Sequence, residues 1–211
     1  MNFSLKKLSK YCIEHSSIPS EVLDSLERET HLKTLSPQMI SGPLQGQLLA
    51  LISHMVGPRH ILEIGTFTGY ATICLAQGLK SGGKITTIES NKELKWLAIK
   101  YFSEAGILDK VDYINGDARK MIKSLDQHFD LVFIDAGKQD YAYYYDEVFD
   151  KVNSGGVILV DNTLWSGKVV SIQKDNDTEI MDHFNKKIAS DTRVEVVILP
   201  IRDGFTIIRK I

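Results

Sequence analysis

The sequence predicts an α/β architecture: a Rossmann-like, seven-stranded, mainly parallel sheet with helices on both faces and a C-terminal antiparallel hairpin strand. Three observations predict it. Apolar, β-favouring runs alternate with amphipathic segments from about residue 60 onward, the pattern of strands covered on both faces by crossover helices. The first run passes directly into a turn with glycines four apart, Gly65 and Gly69. The last two runs are joined only by Pro200-Ile201-Arg202-Asp203-Gly204. So short a link holds no crossover and must close a hairpin.

Residues 1–32 carry two helical patterns, Leu5/Leu8/Cys12 and Val22/Leu23/Leu26, broken at Ile18-Pro19-Ser20. They are expected to form a helical lid or extension, residues 1–42, ahead of a core over 43–211, all within one domain. After Ser36-Pro37 and Ser41-Gly42-Pro43, positions Leu44, Leu48, Leu51, Ile52 and Met55 share one helical face, predicting a helix packed on the sheet and ended by Gly57-Pro58. Ile61, Leu62 and Ile64 open the sheet, and Ala71–Ala76 is the first covering helix. Then follow strand Lys84–Glu89, helix Lys92–Ala105, strand Val111–Asn115, helix Ala118–Leu125, strand Phe129–Asp135, helix Tyr141–Val152 and strand Val157–Asp161. A helix over Thr178–Ala189 precedes the hairpin strands Arg193–Leu199 and Phe205–Lys210. A parallel sheet with an antiparallel end suggests a class I methyltransferase fold. Tyr141, Tyr144 and Tyr145 fall on a core stripe of their helix and are assigned to packing.

Composition narrows the partners. The 25 basic and 27 acidic residues are interspersed, leaving a net charge of -2 and no electrostatic footprint for nucleic acid or an anionic membrane. Cys12 and Cys74 are far apart, and no secretory or membrane-length apolar run occurs, so a reduced cytoplasm is the expected compartment. The six histidines show no metal-binding spacing.

The turn at His60–Tyr70 brings backbone N–H groups and a helix start to the carboxyl edge of the sheet, which predicts a small-molecule cofactor. Its G-x-x-x-G spacing departs from the dinucleotide fingerprint. Phe67 stands where a hydrolase elbow carries serine. Gly78–Ile85 resembles a P-loop but lacks the closing Ser/Thr, and reads as a helix-ending turn.

Acidic residues close several strands on that edge: Glu63, Glu89, Asp135 and Asp161. Glu89 follows Gly69 by 20 residues, the distance at which a carboxylate meets the ribose of an adenosine-containing cofactor. Asp117 is either an ordinary helix cap or an adenine neighbour. If the strands bearing Asp135 and Asp161-Asn162 are neighbours, about 4.8 Å apart, their side chains converge on one ion. Two carboxylates and an amide oxygen suit a hard cation, Mg²⁺ foremost, with Mn²⁺ or Ca²⁺ as alternatives. Taken singly, the two aspartates would merely cap turns. Lys138 follows Asp135 by three residues; a nearby cation favours its neutral amine, which can act as a base, although a lone loop lysine is usually solvated. Trp165 either walls a planar substrate or anchors an exposed loop.

These residues resemble a known family: the cation-dependent, S-adenosylmethionine-using O-methyltransferases that include catechol and caffeoyl-CoA O-methyltransferases. The resemblance runs from Met39 through Gln45-Gly46-Gln47, LEIGTFTGY at 62–70, Glu89, Gly116-Asp117-Ala118, FIDAGK at 133–138, DNTLW at 161–165 and LPIRDGFTIIRK at 199–210. It implies that Glu63, Gly65 and Tyr70 line the methionine part of S-adenosylmethionine, with Met39 near the sulfonium and with Thr68 and Ala71 in the same cofactor-binding turn. It places Glu89 at the ribose and Asp117 with Ala118 at the adenine. Asp135, Asp161 and Asn162 match metal ligands, Asp135 also touching the cofactor, and Lys138 matches the catalytic lysine. Lys138, Trp165 and Arg202 are expected at the substrate, a hydroxylated, catechol-like aromatic, and a homodimer is implied. Ala71 stands where the family often has serine, and Arg202 where a small residue is common; Ser41-Gly42-Pro43 is an unusual lead into the following helix. The alternatives are a nicotinamide oxidoreductase using Glu89 and a non-catalytic adenosine-binding protein.

Overall fold

The computed structural model describes residues 5–211; of the first predicted helical stripe, the Leu5 side chain lies outside the described ones. Seven strands form one sheet in the order β3-β2-β1-β4-β5-β7-β6, with β1 at His60–Ile64, β2 at Lys84–Glu89, β3 at Val111–Asn115, β4 at Phe129–Ile134, β5 at Val152–Asp161, β6 at Val194–Leu199 and β7 at Phe205–Lys210. Strands β1 to β5 pair in parallel. The last strand inserts antiparallel between β5 and β6, as the short hairpin link requires.

Helices cover both faces. On one lie α2 (Glu21–Lys33), α3 (Gly42–Val56), α4 (Tyr70–Ala76) and α5 (Lys95–Glu104); on the other lie α6 (Ala118–Met121), α7 (Tyr141–Phe149) and α8 (Asn176–Ser190). Each face buries its own apolar cluster. Ile61, Leu131, Phe133 and Leu159 point to the first, and Leu62, Ile64, Val132 and Ile134 to the second, as strand alternation dictates. Tyr141, Tyr144 and Tyr145 are buried in the second cluster.

One predicted face is corrected. The buried side of α3 is Gln45, Gly46, Leu49, Ala50, Ile52 and Ser53, whereas Leu51 and Met55 are 52% and 76% exposed. The cause is close helix-to-helix packing rather than apolar bulk. A Cβ on Gly46 would lie 2.6 Å from the Tyr70 ring, and the Ser53 hydroxyl donates to the Leu75 carbonyl at 2.6 Å. Small and polar side chains permit that approach where leucines would not. In α1 (Leu5–Glu14), Leu8 and Cys12 of the predicted helical pattern are exposed.

Element ends also differ. The predicted helix to Val152 stops at Phe149, and β5 begins at Val152, five residues early. A register shift between Phe129 and Leu131 accommodates the additional chain through Gly155, which has φ +78°.

Candidate active site

The turn after β1 is built on backbone geometry that favours glycine. Gly65 has φ +98°, and a Cβ there would lie 2.0 Å from the Asp135 carbonyl oxygen. The chain therefore passes directly over the end of β4. Phe67, also left-handed at φ +49°, donates its N–H to Glu89 Oε2 at 2.8 Å, while Glu89 Oε1 accepts from Asn91 N at 2.8 Å. Glu89 is thus fixed before any ligand arrives.

Glu63 lies behind this turn, fully buried. The hydroxyls of Thr72 and Thr87 donate to its Oε2, and Thr66 shares a hydrogen bond with Thr87. Burial, partly offset by these hydroxyls, pushes its pKa up to about 8. Its Oε1 has no hydrogen-bond partner among the described residues. Thr68 is buried as well and accepts the Thr30 hydroxyl at 3.0 Å, tying α2 to the turn. Glu63 and Thr68 stand just behind the turn, outside the set of residues that line the cavity. Strand alternation and the tight turn aim them inward.

A cavity of about 910 Å³ runs along the carboxyl edge of the sheet. One end is lined by Ile88, Glu89, Ser90, Gly116, Asp117 and Ala118, the middle by Gly65, Tyr70 and Ala71, and the other end by Met39, Asp135, Lys138, Asp161, Asn162, Trp165 and Arg202. Asp117 caps α6, accepting from Arg119 N at 2.9 Å, and also lines the cavity.

Strands β4 and β5 are neighbours, with Ile134 opposite Val160, so Asp135 and Asp161 emerge side by side. Burial first, and the Asp135 carboxylate second, raise the Asp161 pKa to about 6. Asn162 follows with φ +60° and donates its N–H to Asp161 Oδ1 at 2.8 Å. Lys138 Nζ donates to Asp135 Oδ1 at 2.9 Å and to the Tyr141 hydroxyl at 2.6 Å. Tyr141 is fully enclosed, and burial holds its phenol protonated, its pKa far above the ordinary value. Among the described residues no three His, Cys, Asp or Glu side chains gather into a metal cage; the oxygen set here is two carboxylates and an amide.

Two residues that sequence reading passed over belong to this end. Tyr141, assigned to packing, also positions Lys138. Gln45 is 1% exposed and faces Asp161, drawing that carboxyl's pKa back down, yet neither of its amide atoms has a partner within hydrogen-bond distance among the described residues. A glutamine on the inward face of α3 was the available signal.

The mouth is held by the β6–β7 turn. Leu164 N donates to the Asp203 carbonyl at 2.8 Å, Ser166 N donates to the Asp203 carboxylate, and Trp165 is half-buried against the second apolar cluster. Trp165 is thus an anchored wall residue and not an exposed loop anchor.

The O-methyltransferase family profile matches residues 13–211. The chain belongs to the O-methyltransferase family. Tricin synthase 2 of Oryza sativa subsp. japonica is 35% identical over 82% of this chain, which covers 64% of that protein, slightly under two thirds of its length. Caffeoyl-CoA O-methyltransferase of Stellaria longipes is 30% identical over 98% of this chain and 91% of that protein. The O-methyltransferase TomG from Streptomyces achromogenes, solved with S-adenosylmethionine and involved in tomaymycin synthesis, superposes with a TM-score of 0.89 at 28% identity, covering 97% of this chain and 96% of that one. This O-methyltransferase is S-adenosylmethionine-dependent, and the oxidoreductase and scaffold alternatives fall with that assignment. No helix among the described residues is long and apolar enough to cross a membrane.

Proposed function

We propose that this O-methyltransferase transfers the methyl group of S-adenosylmethionine to a hydroxyl of a compact, catechol-like aromatic, with a divalent cation assisting. The observation that carries the reading is the adjacency of Asp135, Asp161, Asn162 and Lys138 at one end of the cavity whose other end is formed by Glu89 and Asp117.

The residues fit both groups. Gly65 leaves a cradle that any Cβ would fill, and the buried, unpartnered Glu63 Oε1 behind the turn suits an ammonium such as that of the methionine moiety. In this reading Tyr70, Ala71 and Met39 surround the methionine part, Glu89 accepts from the ribose hydroxyls, and Asp117 with Ala118 borders the adenine. Backbone N–H groups take the place of the hydroxyl that Ala71 lacks. For the cation, a hard oxygen set that keeps two carboxylates together in desolvated surroundings suits Mg²⁺, with Mn²⁺ or Ca²⁺ as alternatives. Asp135, Asp161 and Asn162 would hold it.

When bound, the cation supplies Lewis-acid polarisation of the acceptor oxygens, and S-adenosylmethionine supplies the electrophilic methyl group. The protein does the rest. Asp135 and Tyr141 aim Lys138 Nζ into the cavity, where, as the neutral amine, it takes the proton of the acceptor hydroxyl and becomes the ammonium. Trp165 walls the aromatic ring, and Met39 with Arg202 closes the acceptor end. Water exclusion and alignment of the oxygen with the methyl group then provide much of the rate.

We assign the enzyme to a reduced cytoplasm, in keeping with two unpaired cysteines, Cys12 and Cys74. We also assign it a homodimeric state, in keeping with the exposed Leu51 and Met55 on α3. The direct test of function is label transfer from S-adenosylmethionine to a catechol panel with Mg²⁺ and with EDTA. Transfer that EDTA stops supports the reading; transfer indifferent to EDTA removes the cation from it.

A further inference from the structure

Arg202 is the residue whose environment the proposed chemistry leaves unexplained. It occupies the first inner position of the turn closed by Gly204 N donating to Ile201 O at 2.9 Å, with φ +51°, a backbone conformation that glycine adopts more readily. Its side chain crosses to the opposite side of the cavity mouth. Nη1 donates to the Ile40 carbonyl at 2.9 Å and to the Ser41 carbonyl. Those two carbonyls lie between Met39, which lines the cavity, and Gly42, where the chain turns through φ +71° into α3. Ile40 and Ser41 are buried, so the arginine fastens an anchored segment and not a loose strand of surface.

The next residue, Asp203, fastens the other side. It accepts from Leu164 N and Ser166 N, the residues flanking Trp165. One four-residue turn therefore ties together both flanks of the acceptor end: the Met39–Ser41 segment through Arg202 and the Trp165 loop through Asp203. Three segments frame the acceptor end, the β6–β7 turn in the middle hydrogen-bonded to each of the other two.

We propose that Arg202 is a specificity-determining latch that keeps the acceptor mouth narrow, admitting compact free catechol-type acceptors and disfavouring the same ring carried on a long acyl-thioester tail. The proposal rests on the catechol-type reading of the acceptor given above. Met39, Ser41 and Trp165 line the cavity beside Arg202; on this proposal the tail of a thioester leaves across these flanks, and its passage requires the latch to open. A small residue at position 202 could not reach the two carbonyls that Nη1 holds.

The test compares the wild type with Arg202→Gly and Arg202→Asn. Both replacements tolerate the left-handed backbone, so the turn is preserved, and asparagine controls for the extra freedom of glycine. Two quantities are read on the intact chain: amide hydrogen exchange of residues 38–43 without ligands, and kcat/KM for caffeate against caffeoyl-CoA with S-adenosylmethionine and Mg²⁺. The latch predicts that in both variants exchange at 38–43 rises about tenfold, as loss of the paired hydrogen bonds implies. It also predicts that the thioester-to-free-acid ratio of kcat/KM rises about tenfold. Unchanged exchange overturns the latch, and so does raised exchange with an unchanged ratio. A wild type that prefers the thioester overturns the selectivity. A wild type that binds S-adenosylmethionine but methylates neither acceptor overturns the catechol-type reading and the selectivity with it, while the exchange arm separately decides whether Arg202 holds the segment.

Discussion

Lys138 Nζ lies 2.6 Å from the Tyr141 hydroxyl and 2.9 Å from Asp135 Oδ1, so one turn of chain supplies both a charged and a neutral partner for the same amine. Since burial keeps Tyr141 protonated, its role is to hold the lysine rather than to exchange charge with it. Tyr141→Phe is expected to lower kcat about tenfold, the worth of one hydrogen bond to a charged group. The dissociation constant for S-adenosylmethionine, measured by calorimetry, should change little. A kcat equal to the wild type's would remove Tyr141 from the positioning of Lys138.

Asp161→Asn keeps the shape of the side chain and removes its charge. Metal-dependent turnover is expected to fall by about a hundredfold or more, while cofactor affinity stays within about threefold. Steady-state kinetics across a Mg²⁺ titration, alongside calorimetry, separate the two. Asp135→Ala is a less clean probe, because that side chain also holds Lys138 and faces the cofactor region.

Glu63 links stability to pH. Its folded pKa of about 8 lies above the ordinary 4.5, so between these values the native chain retains a proton that the unfolded chain has lost. Stability of the ligand-free protein therefore falls as pH rises through this window and levels off above it. At about 1.4 kcal/mol per unit, the loss attributable to this group is about 3–5 kcal/mol. Urea denaturation at pH 5 and pH 8.5 should show that loss in the wild type. Glu63→Gln, which leaves an acceptor for Thr72 and Thr87, should lack most of it; an identical slope in the variant would contradict the buried-carboxyl account.

Gly65→Ala combines an unfavourable φ with a Cβ 2.0 Å from the Asp135 carbonyl. A destabilisation of about 2–4 kcal/mol is expected, together with loss of S-adenosylmethionine binding, because relief must move either the turn or the end of β4. Thermal unfolding with and without cofactor reads both effects.

Much of this arrangement was legible in the sequence, and the parts that were not share a cause. Apolar runs and glycine punctuation carry the succession of strands and helices along the chain, and with it the carboxyl edge, since both follow from local periodicity. The convergence of Asp135 and Asp161 needed only that their strands be neighbours, which the pairing of β4 and β5 provides. What escaped were relations set by tertiary packing. Leu51 and Met55 fit an apolar stripe as well as Leu49 and Ile52 do, and only the close approach of α3 to Tyr70 and Leu75 selects the other face. The buried threonine network that holds Glu63 Oε2 joins Thr72 and Thr87 from two other elements, which its place before the glycine turn does not reveal. The contact between Arg202 and Ser41 spans 161 residues, beyond any local pattern. The two departures from the family pattern, at Arg202 and at Ser41-Gly42-Pro43, are thus parts of one contact.

The central claim is cation-assisted methyl transfer to a catechol-type hydroxyl. The measurement that bears on it most directly is transfer of radiolabel from S-adenosylmethionine to a small catechol panel by the wild type and Asp161→Asn, each with Mg²⁺ and with EDTA. The account predicts label in product for the wild type with Mg²⁺, background with EDTA, and background for Asp161→Asn in both. Transfer that is equal with Mg²⁺ and EDTA, or undiminished in Asp161→Asn, would contradict it.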